Sequence, residues 1–579
     1  MMQYLYAGLA LIPLWWVVTS AWGLLRNYRV AKRVGLPMIV IPWNIDSAFY
    51  VVFANPLRPF WESRLGPGYV RDVLTVTTYG YEFWNRSSIA RRIGPSFLVV
   101  TPVVIRLHCG DAAMIHCILS RANVWVQEKR AINILGIVGQ NLSSSNGEQW
   151  QRQRRIVAPS LNERISKLVW DESSLQARQM ASYMLAQPGG ESRDSADGVR
   201  AIATHVLGAV AYGQPQPWKI SELPSDPDAD IGYTDAVSFL AEFIIAASHV
   251  PKSILRSRFM PKQIHMVADV LDKMPVLAQS LLDSVRAAQT AQRPSGHSAD
   301  ESQPRETIAS VLVRLSDEAR STNGHAPKSN GAAGKQYLTQ NEMFGNLFQF
   351  TLAGLDTTAF TMTYSIALLA IYPEWQTWIQ AQLDDVLGPI DPKDDTPVDY
   401  NTIFPKLTRC QAFTFEVLRL YTMIVHMARE LSKESSILTD TNGVSYELVA
   451  PVDAYICSPI PHRDARFWGP DVDEFRPTRW FDPGAAPGAP NPFITPRPGA
   501  YVPWSIGPRV CPGQKMAQVE VAAVLSTFLR SCSVLPALEE GETLEQARKR
   551  LLGVLEDSQP TITLRPRDKK AIHLKWVRR

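Results

Sequence analysis

The sequence predicts a mainly α-helical fold with a smaller β portion. Between about residues 160 and 290 apolar residues recur with the amphipathic period of helices. A long apolar helix is predicted to run to about Ile371, because Thr339 and Glu342 form a capping box at its start and Pro373 follows it. Short β-like runs, at Phe97–Val100 and Pro102–Ile105, alternate with turns between about residues 38 and 125.

Composition and charge exclude several classes of protein. A chain of 579 residues can bury a large core and enclose a cofactor. Lys plus Arg number 59 and Asp plus Glu 55, so no nucleic acid or other polyanion is expected as a partner. The six cysteines contain no Cys-x-x-Cys pair, which argues against a disulfide framework and fits a reducing compartment. His108-Cys109 and His116-Cys117 match no common zinc spacing.

The N-terminal segment is predicted to cross a membrane. Tyr4 to Leu25 carries no charge and, as a helix, would be about 33 Å long, which is enough to span a bilayer. The alternative is a cleaved signal peptide, but no charged region precedes the apolar run and the cleavage pattern is poor. Basic residues follow the run, which predicts a cytosolic location for the rest of the chain: Arg26, Arg29, Lys32 and Arg33. We therefore predict an anchor and basic hinge over residues 1–36 and one globular domain over residues 37–579.

One cysteine lies in a loop shaped by glycines and prolines, Trp504-Ser-Ile-Gly507-Pro-Arg509-Val-Cys511-Pro-Gly513. A helical pattern begins directly after this loop, from about Gln514 to Leu529. The start of a helix favours a thiolate over a thiol. The glycines permit positive φ or a close approach to a flat partner. The cysteine therefore suits an axial haem ligand, although a structural role is the alternative for any single cysteine.

Further residues that could take part in binding or catalysis lie upstream of this loop. Trp150 and Arg154 share one helix face, so both could donate to a buried acid group, although a solvated basic helix with one buried Trp is the alternative. Asp356 lies within the long apolar helix, where a carboxylate is costly without partners. The alternative there is an ordinary kink in which the Thr357 hydroxyl bonds back to the helix.

Together these motifs resemble the signatures of the cytochrome P450 family. The cysteine loop is similar to the family's Phe-x-x-Gly-x-Arg-x-Cys-x-Gly, with Trp504 in place of Phe. The Trp-x-x-x-Arg spacing resembles a haem-propionate contact, and Ala353 to Thr358 matches the oxygen-activation motif. A Glu-x-x-Arg pair at Glu416 and a Phe-x-Pro-x-Arg segment at Phe475 complete five motifs in the family's order.

The resemblance implies a complete set of site residues. Cys511 would be the thiolate ligand of haem iron, and Asp356 and Thr357 would assist protonation during oxygen activation. His426 is expected to be a pocket or core histidine rather than a ligand. The haem contacts implied are Trp150, Arg154, Arg429, Trp504, Arg509 and Gly513, and the structural trio implied is Glu416, Arg419 and Arg479.

The resemblance also implies a function and a location. The expected protein is a haem-thiolate monooxygenase of secondary metabolism that uses O2, a lipophilic substrate such as a terpenoid, sterol or polyketide, and electrons from NADPH–cytochrome P450 reductase. It would be anchored once in the endoplasmic reticulum membrane, with residues 37–579 as a cytosolic catalytic domain. Two alternatives remain open: a haem-thiolate isomerase or dehydratase that needs no external electrons, and a non-catalytic haem- or lipid-binding membrane protein.

Overall fold

The computed structural model describes residues 2–220, 231–291, 307–323, 337–388, 398–485, 489 and 492–579. Within these ranges, the side chains of residues 2–13, 48–49, 51–53, 55, 291 and 318–323 lie outside the described part. Helices account for most of the described residues and strands for a smaller share, so the predicted fold class is confirmed.

The helices of the N-terminal half are α1 (Met2–Val34), α2 (Ala48–Glu62), α3 (Tyr69–Val76), α4 (Tyr81–Trp84), α5 (Ser88–Ile93), α6 (Ala112–Ser120), α7 (Lys129–Leu135), α8 (Gly147–Val157), α9 (Glu163–Leu185), α10 (Ser195–Tyr212), α11 (Tyr233–Glu242), α12 (Ile244–His249), α13 (Lys252–Leu255) and α14 (Lys262–Ala291). The later helices are α15 (Ile308–Asn323), α16 (Gln340–Ile371), α17 (Pro373–Leu387), α18 (Tyr400–Ile403), α19 (Thr408–Leu420), α20 (Pro459–His462), α21 (Ala465–Trp468), α22 (Gln514–Ser531) and α23 (Leu544–Glu556).

The strands form four small sheets. They are β1 (Met38–Val40), β2 (Ser96–Val100), β3 (Ile105–Cys109), β4 (Trp125–Gln127), β5 (Glu191–Ser192), β6 (His426–Leu431), β7 (Ser435–Thr439), β8 (Ser445–Val449), β9 (Asp453–Cys457), β10 (Cys532–Pro536), β11 (Ser558–Pro560), β12 (Leu564–Pro566) and β13 (Leu574–Arg578). The largest sheet has the order β1-β2-β3-β9-β6-β4, and a three-stranded sheet has the order β10-β13-β5. The remaining pairs are β7-β8 and β11-β12.

Helix α16 lies at the centre of the main hydrophobic core. Its start is the predicted capping box, in which Thr339 accepts from the backbone of Glu342 and the Glu342 carboxylate accepts from the backbone of Thr339. Of the described helices, α16 is the one long and apolar enough to cross a membrane, and 83% of its most apolar window is buried inside the protein. Such burial is typical of a core helix, and the helix prediction to Ile371 is confirmed.

Helix α1 includes both the apolar run and the basic residues that follow it. Its last turns pack against the globular body, where Asn27 Nδ2 donates to Thr101 O at 2.9 Å and Ala31 is fully buried. Trp15, Trp16 and Trp22 are exposed. The predicted transmembrane segment begins at Tyr4, whose side chain lies outside the described part, and it stays a prediction.

Two strand predictions need correction. Residues 102–104 form a turn rather than a strand, because Pro102 lacks an N–H and the Thr101 hydroxyl accepts from the backbone of Val104 at 3.0 Å. The second β-run therefore begins at Ile105, whereas Phe97–Val100 lies within β2 as predicted. The C-terminal run from Pro560 to Pro566, expected as one edge strand, is a hairpin with a turn at residues 561–563.

The sequence also predicts a short helix from Thr307 to Glu318, flanked by flexible loops between about Ala288 and Gln336, and the helix is found as α15. Residues 288–291 are instead helical at the end of α14, and residues 319–323 continue α15. Residues 292–306 and 324–336 lie outside the described part of the chain.

Candidate active site

A cavity of about 600 Å³ is lined by both the cysteine loop and the middle of α16. Cys511 contributes from the loop, and Asp356 and Thr357 contribute from the helix. The structure describes all six cysteines, and Cys511 is the one whose side chain is exposed to this cavity, inside the protein rather than on its outer surface. The cysteine and the acid–alcohol pair, which lie far apart in the sequence, therefore face the same space.

The cysteine loop is tightly folded. Cys511 N donates to Trp504 O at 2.9 Å, which closes the loop just before α22. Gly507 has φ +70°, and a Cβ there would lie 2.7 Å from Leu119 O, so both the conformation and the packing require glycine. Gly513 has φ −88°, so positive φ is not its role. Apart from Gly513 and its two chain neighbours, no atom of the described residues lies within 4 Å of a Cβ built on Gly513, which lines the cavity, so its missing side chain leaves room there for a flat ligand.

The environment of the Cys511 thiol differs from the prediction. Burial raises its pKa, and the backbone N–H of Gly513, the Arg154 guanidinium and the backbone N–H of Gln514 oppose this rise. The helix start thus acts in the predicted direction, but desolvation outweighs it, so a thiolate is not favoured by the protein alone. A bound metal ion deprotonates a coordinating thiol outright, so the site remains suited to an axial ligand.

Two buried arginines line the cavity without an acidic partner among the described residues. Arg429 donates to Gln127 Oε1 at 2.9 Å and is 6% exposed. Arg509 donates to Ser145 O and to Asn146 Oδ1, each at 2.9 Å, and its buried Nε has no partner. Burial lowers the pKa of Arg429 to about 10, and burial together with repulsion from Arg429 lowers that of Arg509 to about 9. Uncompensated buried cations favour an anionic ligand, and the two propionates of a haem fit this requirement.

Trp150 and Arg154 also line the cavity. The Arg509 guanidinium lies over the Trp150 ring, 4.5 Å from its centroid, which fixes the indole against the cysteine loop. Arg154 donates to Val510 O at 3.0 Å, so this guanidinium braces the residue next to Cys511. Trp504 lines the cavity as well, and its ring meets Phe415 edge to face at 6.1 Å.

Asp356 and Thr357 have different partners. The Thr357 hydroxyl donates to Ala353 O at 2.6 Å, as the alternative reading of this turn expected, and α16 continues without interruption. Asp356 Oδ1 lies 3.1 Å from an Arg200 guanidinium nitrogen on α10. Burial raises the pKa of Asp356, and the nearest cation, Arg200, opposes the rise. A carboxyl group with a raised pKa beside a hydroxyl can hold and release a proton at this wall of the cavity.

Glu416, Arg419 and Arg479 meet in one buried cluster behind the cysteine loop. The Arg419 guanidinium donates to both oxygens of Glu416 at 2.8 and 2.9 Å, and Arg479 Nε donates to Oε1 at 2.9 Å. Trp480 Nε1 donates to Oε2 at 3.0 Å. Glu416 and Arg419 have fully buried side chains, and every charge in the cluster is paired.

Sequence reasoning missed several residues of the site. Arg200 is the one arginine or lysine of α10, and Glu520 is a buried acid on α22 that lines the cavity. The available signal was that α10 has no other arginine or lysine and α22 no other acid, but what each of the two residues faces depends on other elements. Glu82 and His426 form a further buried pair at the cavity wall, and the pocket position expected for His426 agrees with this.

Comparison with known proteins agrees with this geometry. Residues 128–562 match the family model described as Cytochrome P450. The phomenoic acid biosynthesis cluster cytochrome P450 monooxygenase of Leptosphaeria maculans is 28% identical, and the alignment covers 95% of each chain. Cytochrome P450 monooxygenase ORF6 of Penicillium roqueforti is 25% identical with 86% of each chain covered, and prx9 of Penicillium rubens is 26% identical with 87% of each covered.

A helical fold that directs one cysteine into a cavity flanked by unpaired buried arginines defines a haem-thiolate oxidoreductase. The chain belongs to the cytochrome P450 family. It is a haem-thiolate monooxygenase, and its cofactor is haem with a cysteine thiolate as the axial ligand.

Proposed function

We propose that this protein inserts one oxygen atom from O2 into a lipophilic small molecule of secondary metabolism, with Cys511 as the haem ligand. The observation that carries the assignment is that Cys511 and the Asp356–Thr357 pair line the same cavity. The name of the Leptosphaeria maculans relative, which places that protein in a biosynthesis cluster, supports a role in secondary metabolism.

The haem, when bound, supplies the activation of O2 and the transfer of oxygen. Cys511 Sγ would hold the iron, while Arg429 and Arg509 would bind the propionates that their buried charges require. Thr357 Oγ1 would hold a proton at the cavity wall. Asp356, which lies beside Arg200 and lines the same cavity, would resupply that proton.

The cavity walls support a lipophilic substrate. Apolar side chains from the region of α7, from α10, from α16 and from the segment before β6 line it, including Ile134, Leu207, Phe350, Leu352 and Ile424. An apolar wall excludes water and binds apolar surface, so terpenoids, sterols and polyketides all fit this chemistry.

We also propose that α1 anchors the protein in the endoplasmic reticulum membrane, with the catalytic domain in the cytosol. The exposed apolar side chains of Trp15, Trp16, Val18 and Trp22 support this, because a row of exposed indoles and aliphatic groups suits a bilayer. NADPH–cytochrome P450 reductase is the proposed electron donor, docking near the cysteine loop, where Lys515 is exposed.

Replacing Cys511 tests the ligand assignment. We expect Cys511→Ser to abolish the thiolate-type absorption of the ferrous carbonyl complex, because an alcohol oxygen does not replace the sulfur donor. Cys117→Ser, at a half-buried cysteine away from the cavity, is the matched control and should keep the spectrum. A thiolate-type spectrum retained in Cys511→Ser would show that another cysteine binds the iron.

Replacing Thr357 distinguishes a monooxygenase, which activates O2, from an isomerase or dehydratase, which uses no external electrons. We expect Thr357→Ala to release several-fold more hydrogen peroxide per reductant consumed, since proton delivery to bound oxygen would fail. Thr363→Ala is the control, because that hydroxyl is buried on the same helix and bonds to Ala359 O. Unchanged coupling in Thr357→Ala would favour an isomerase or dehydratase.

A further inference from the structure

A second group of polar side chains lines the cavity, apart from the residues that surround Cys511. It comprises Tyr79, Glu82, His108, His426 and Tyr455. Helix α4 and strands β3, β6 and β9, together with the segment before α4, bring these residues together. None of the haem-binding or proton-delivery roles uses them.

His426 is held in a fixed orientation. It opens β6, where it pairs with Cys457 across the antiparallel strands. Its ring stacks on Tyr455, with centroids 4.5 Å apart and planes 8° apart, and meets Tyr79 edge-on at 5.0 Å. Two aromatic neighbours therefore fix the plane of the imidazole.

The Glu82 carboxylate faces the Nδ1 side of the imidazole. Glu82 is 2% exposed, and its Oε1 lies 3.4 Å from His426 Nδ1, without the geometry of a hydrogen bond. Its Oε2 has no hydrogen-bond partner among the described residues. A nearby carboxylate electrostatically favours the tautomer with the proton on Nδ1, which leaves the lone pair on Nε2. His426 Nδ1 is itself shielded from solvent, so the exposed edge of the ring faces the cavity that it lines.

Buried side chains surround Glu82. The ligand atoms of Glu82, His108 and Cys457 lie within 4.8 Å of one another, a spacing that could also suit a metal ion. However, the Tyr81 hydroxyl already occupies His108 Nδ1 at 2.8 Å. Burial raises the pKa of Cys457, so the thiol remains a donor, 3.9 Å from Glu82 Oε1. We therefore assign Cys457 to holding the carboxylate, with Tyr81 and His108 hydrogen-bonded to each other beside it.

The surrounding charges exclude an anionic ligand at this position. Arg106 and Arg130 line the same part of the cavity, but both are paired with Asp46, and Arg130 also lies 3.0 Å from Glu128. Both guanidinium charges are already matched by carboxylates, although Arg106 Nε has no hydrogen-bond partner among the described residues, and Glu82 would repel an added carboxylate. A neutral hydroxyl group meets no such penalty, because it can donate to a nitrogen lone pair.

We propose that Glu82 and His426 form a binding subsite for a hydroxyl group of the lipophilic substrate. His426 Nε2 accepts the hydroxyl hydrogen, and the Tyr79 phenol, which lines the cavity and is 40% exposed, can donate to the same oxygen. A phenol has an ordinary pKa of about 10, so Tyr79 keeps its proton at neutral pH. Glu82 acts as a positioning residue. The inference rests on the proposed function, and it adds that the substrate carries a hydroxyl group that fixes which carbon is oxidised.

The test uses full-length haem-loaded protein in detergent and matched probes, the 1-alkanols and n-alkanes of ten to sixteen carbons. Binding is measured by the haem spin-state change. We expect the best-fitting alkanol to bind the wild type about tenfold more tightly than the alkane of equal length, as one net hydrogen bond provides. His426→Phe, which keeps the aromatic stacking, should reduce this preference to below about twofold. Glu82→Gln should reduce it partly, and a purely structural role for Glu82 would leave the ratio unchanged.

His249→Phe is the matched control, because His249 also lines the cavity but has Ser248 as its neighbour. It should keep the full preference for alkanols. A wild type that prefers no alkanol, including one that responds to no probe, overturns the proposal, and so does an undiminished preference in His426→Phe. The Cys511-dependent carbonyl spectrum is recorded for every variant. Its loss in the wild type would contradict the proposed function, whereas its presence without alkanol preference contradicts only the subsite.

Discussion

Arg419 and Arg479 are buried beside a carboxylate, whereas Arg429 and Arg509 are buried without one. The first pair shares Glu416 and also donates to backbone carbonyl groups. The second pair donates only to neutral groups, and burial lowers the pKa of both arginines. Both pairs lie within one domain, so the difference comes from what each pair faces.

This comparison distinguishes structural charge from binding charge. Taking a charge out of water costs several kcal/mol, and a partner within the protein must offset the cost. The Glu416 cluster is complete without any ligand, so it can brace the fold behind the cysteine loop. The cavity arginines have no counter-ion until an anion binds. Binding of the haem propionates would remove the cost of burying these unpaired charges, and this gain would form part of the binding free energy of haem.

Breaking the complete cluster should have the largest effect. We expect Glu416→Gln to reduce the free energy of unfolding by about 3–5 kcal/mol, since Arg419 would stay buried without an acidic partner among the described residues and Arg479 would keep only Asp471. The midpoint of urea unfolding measures this loss. Glu447→Gln, at an exposed glutamate of β8, is the control and should change stability by less than about 0.5 kcal/mol. A loss below about 1 kcal/mol in Glu416→Gln would mean that this charge pairing is not structural.

Removing one of the unpaired cavity arginines should instead weaken haem binding without reducing stability. We expect Arg429→Met to leave the stability of haem-free protein unchanged or slightly higher, because an unpaired buried cation disappears. Transfer of haem to an acceptor protein should become about tenfold faster, as the loss of one charge-assisted bond predicts. Arg155→Met, at an exposed arginine of α8, should leave both quantities unchanged. Destabilised haem-free protein with normal haem transfer would place Arg429 with the structural arginines.

Replacing Glu520 gives the test that is most specific to a single residue. Glu520 is a buried acid of the same cavity, and its Oε1 has no hydrogen-bond partner among the described residues. Burial raises its pKa from 4.5 to about 8, so the folded state keeps a proton that the unfolded state loses. Stability should therefore fall as pH rises from about 5 to 8. Glu520→Gln removes this dependence and should gain on the order of 1–4 kcal/mol relative to the wild type across that interval.

Urea unfolding at pH 5, 6.5 and 8 measures the effect on Glu520→Gln, with Glu447→Gln as the control. Parallel pH profiles for the wild type and Glu520→Gln would show that Glu520 is ionised in the folded protein.

Local patterns predicted much of the fold. The capping box at Thr339, the helix after Cys511 and the strand at Phe97–Val100 all depend on neighbours within a few residues, and each was found where the sequence placed it. The prediction of a strand at Pro102 was wrong. Pro102 lacks an N–H for strand pairing, and the Thr101 hydroxyl accepts from Val104 N, so a turn forms instead. The periodicity of apolar residues does not register either effect.

Local spacing is enough to identify the residue types that carry the chemistry: a cysteine at a helix start, an acid–alcohol pair in an apolar helix and a set of arginines with family spacing. Their partners follow from the packing of distant segments. Arg509 donates to Ser145, 364 residues away, Asp356 meets Arg200 on another helix, and Glu82 on helix α4 meets His426 on strand β6. Spacing along a chain fixes which side chains share a helix face or a strand face. Which charges are paired, and which remain open for a ligand, depends on how distant segments pack, and desolvation sets the energy of that choice.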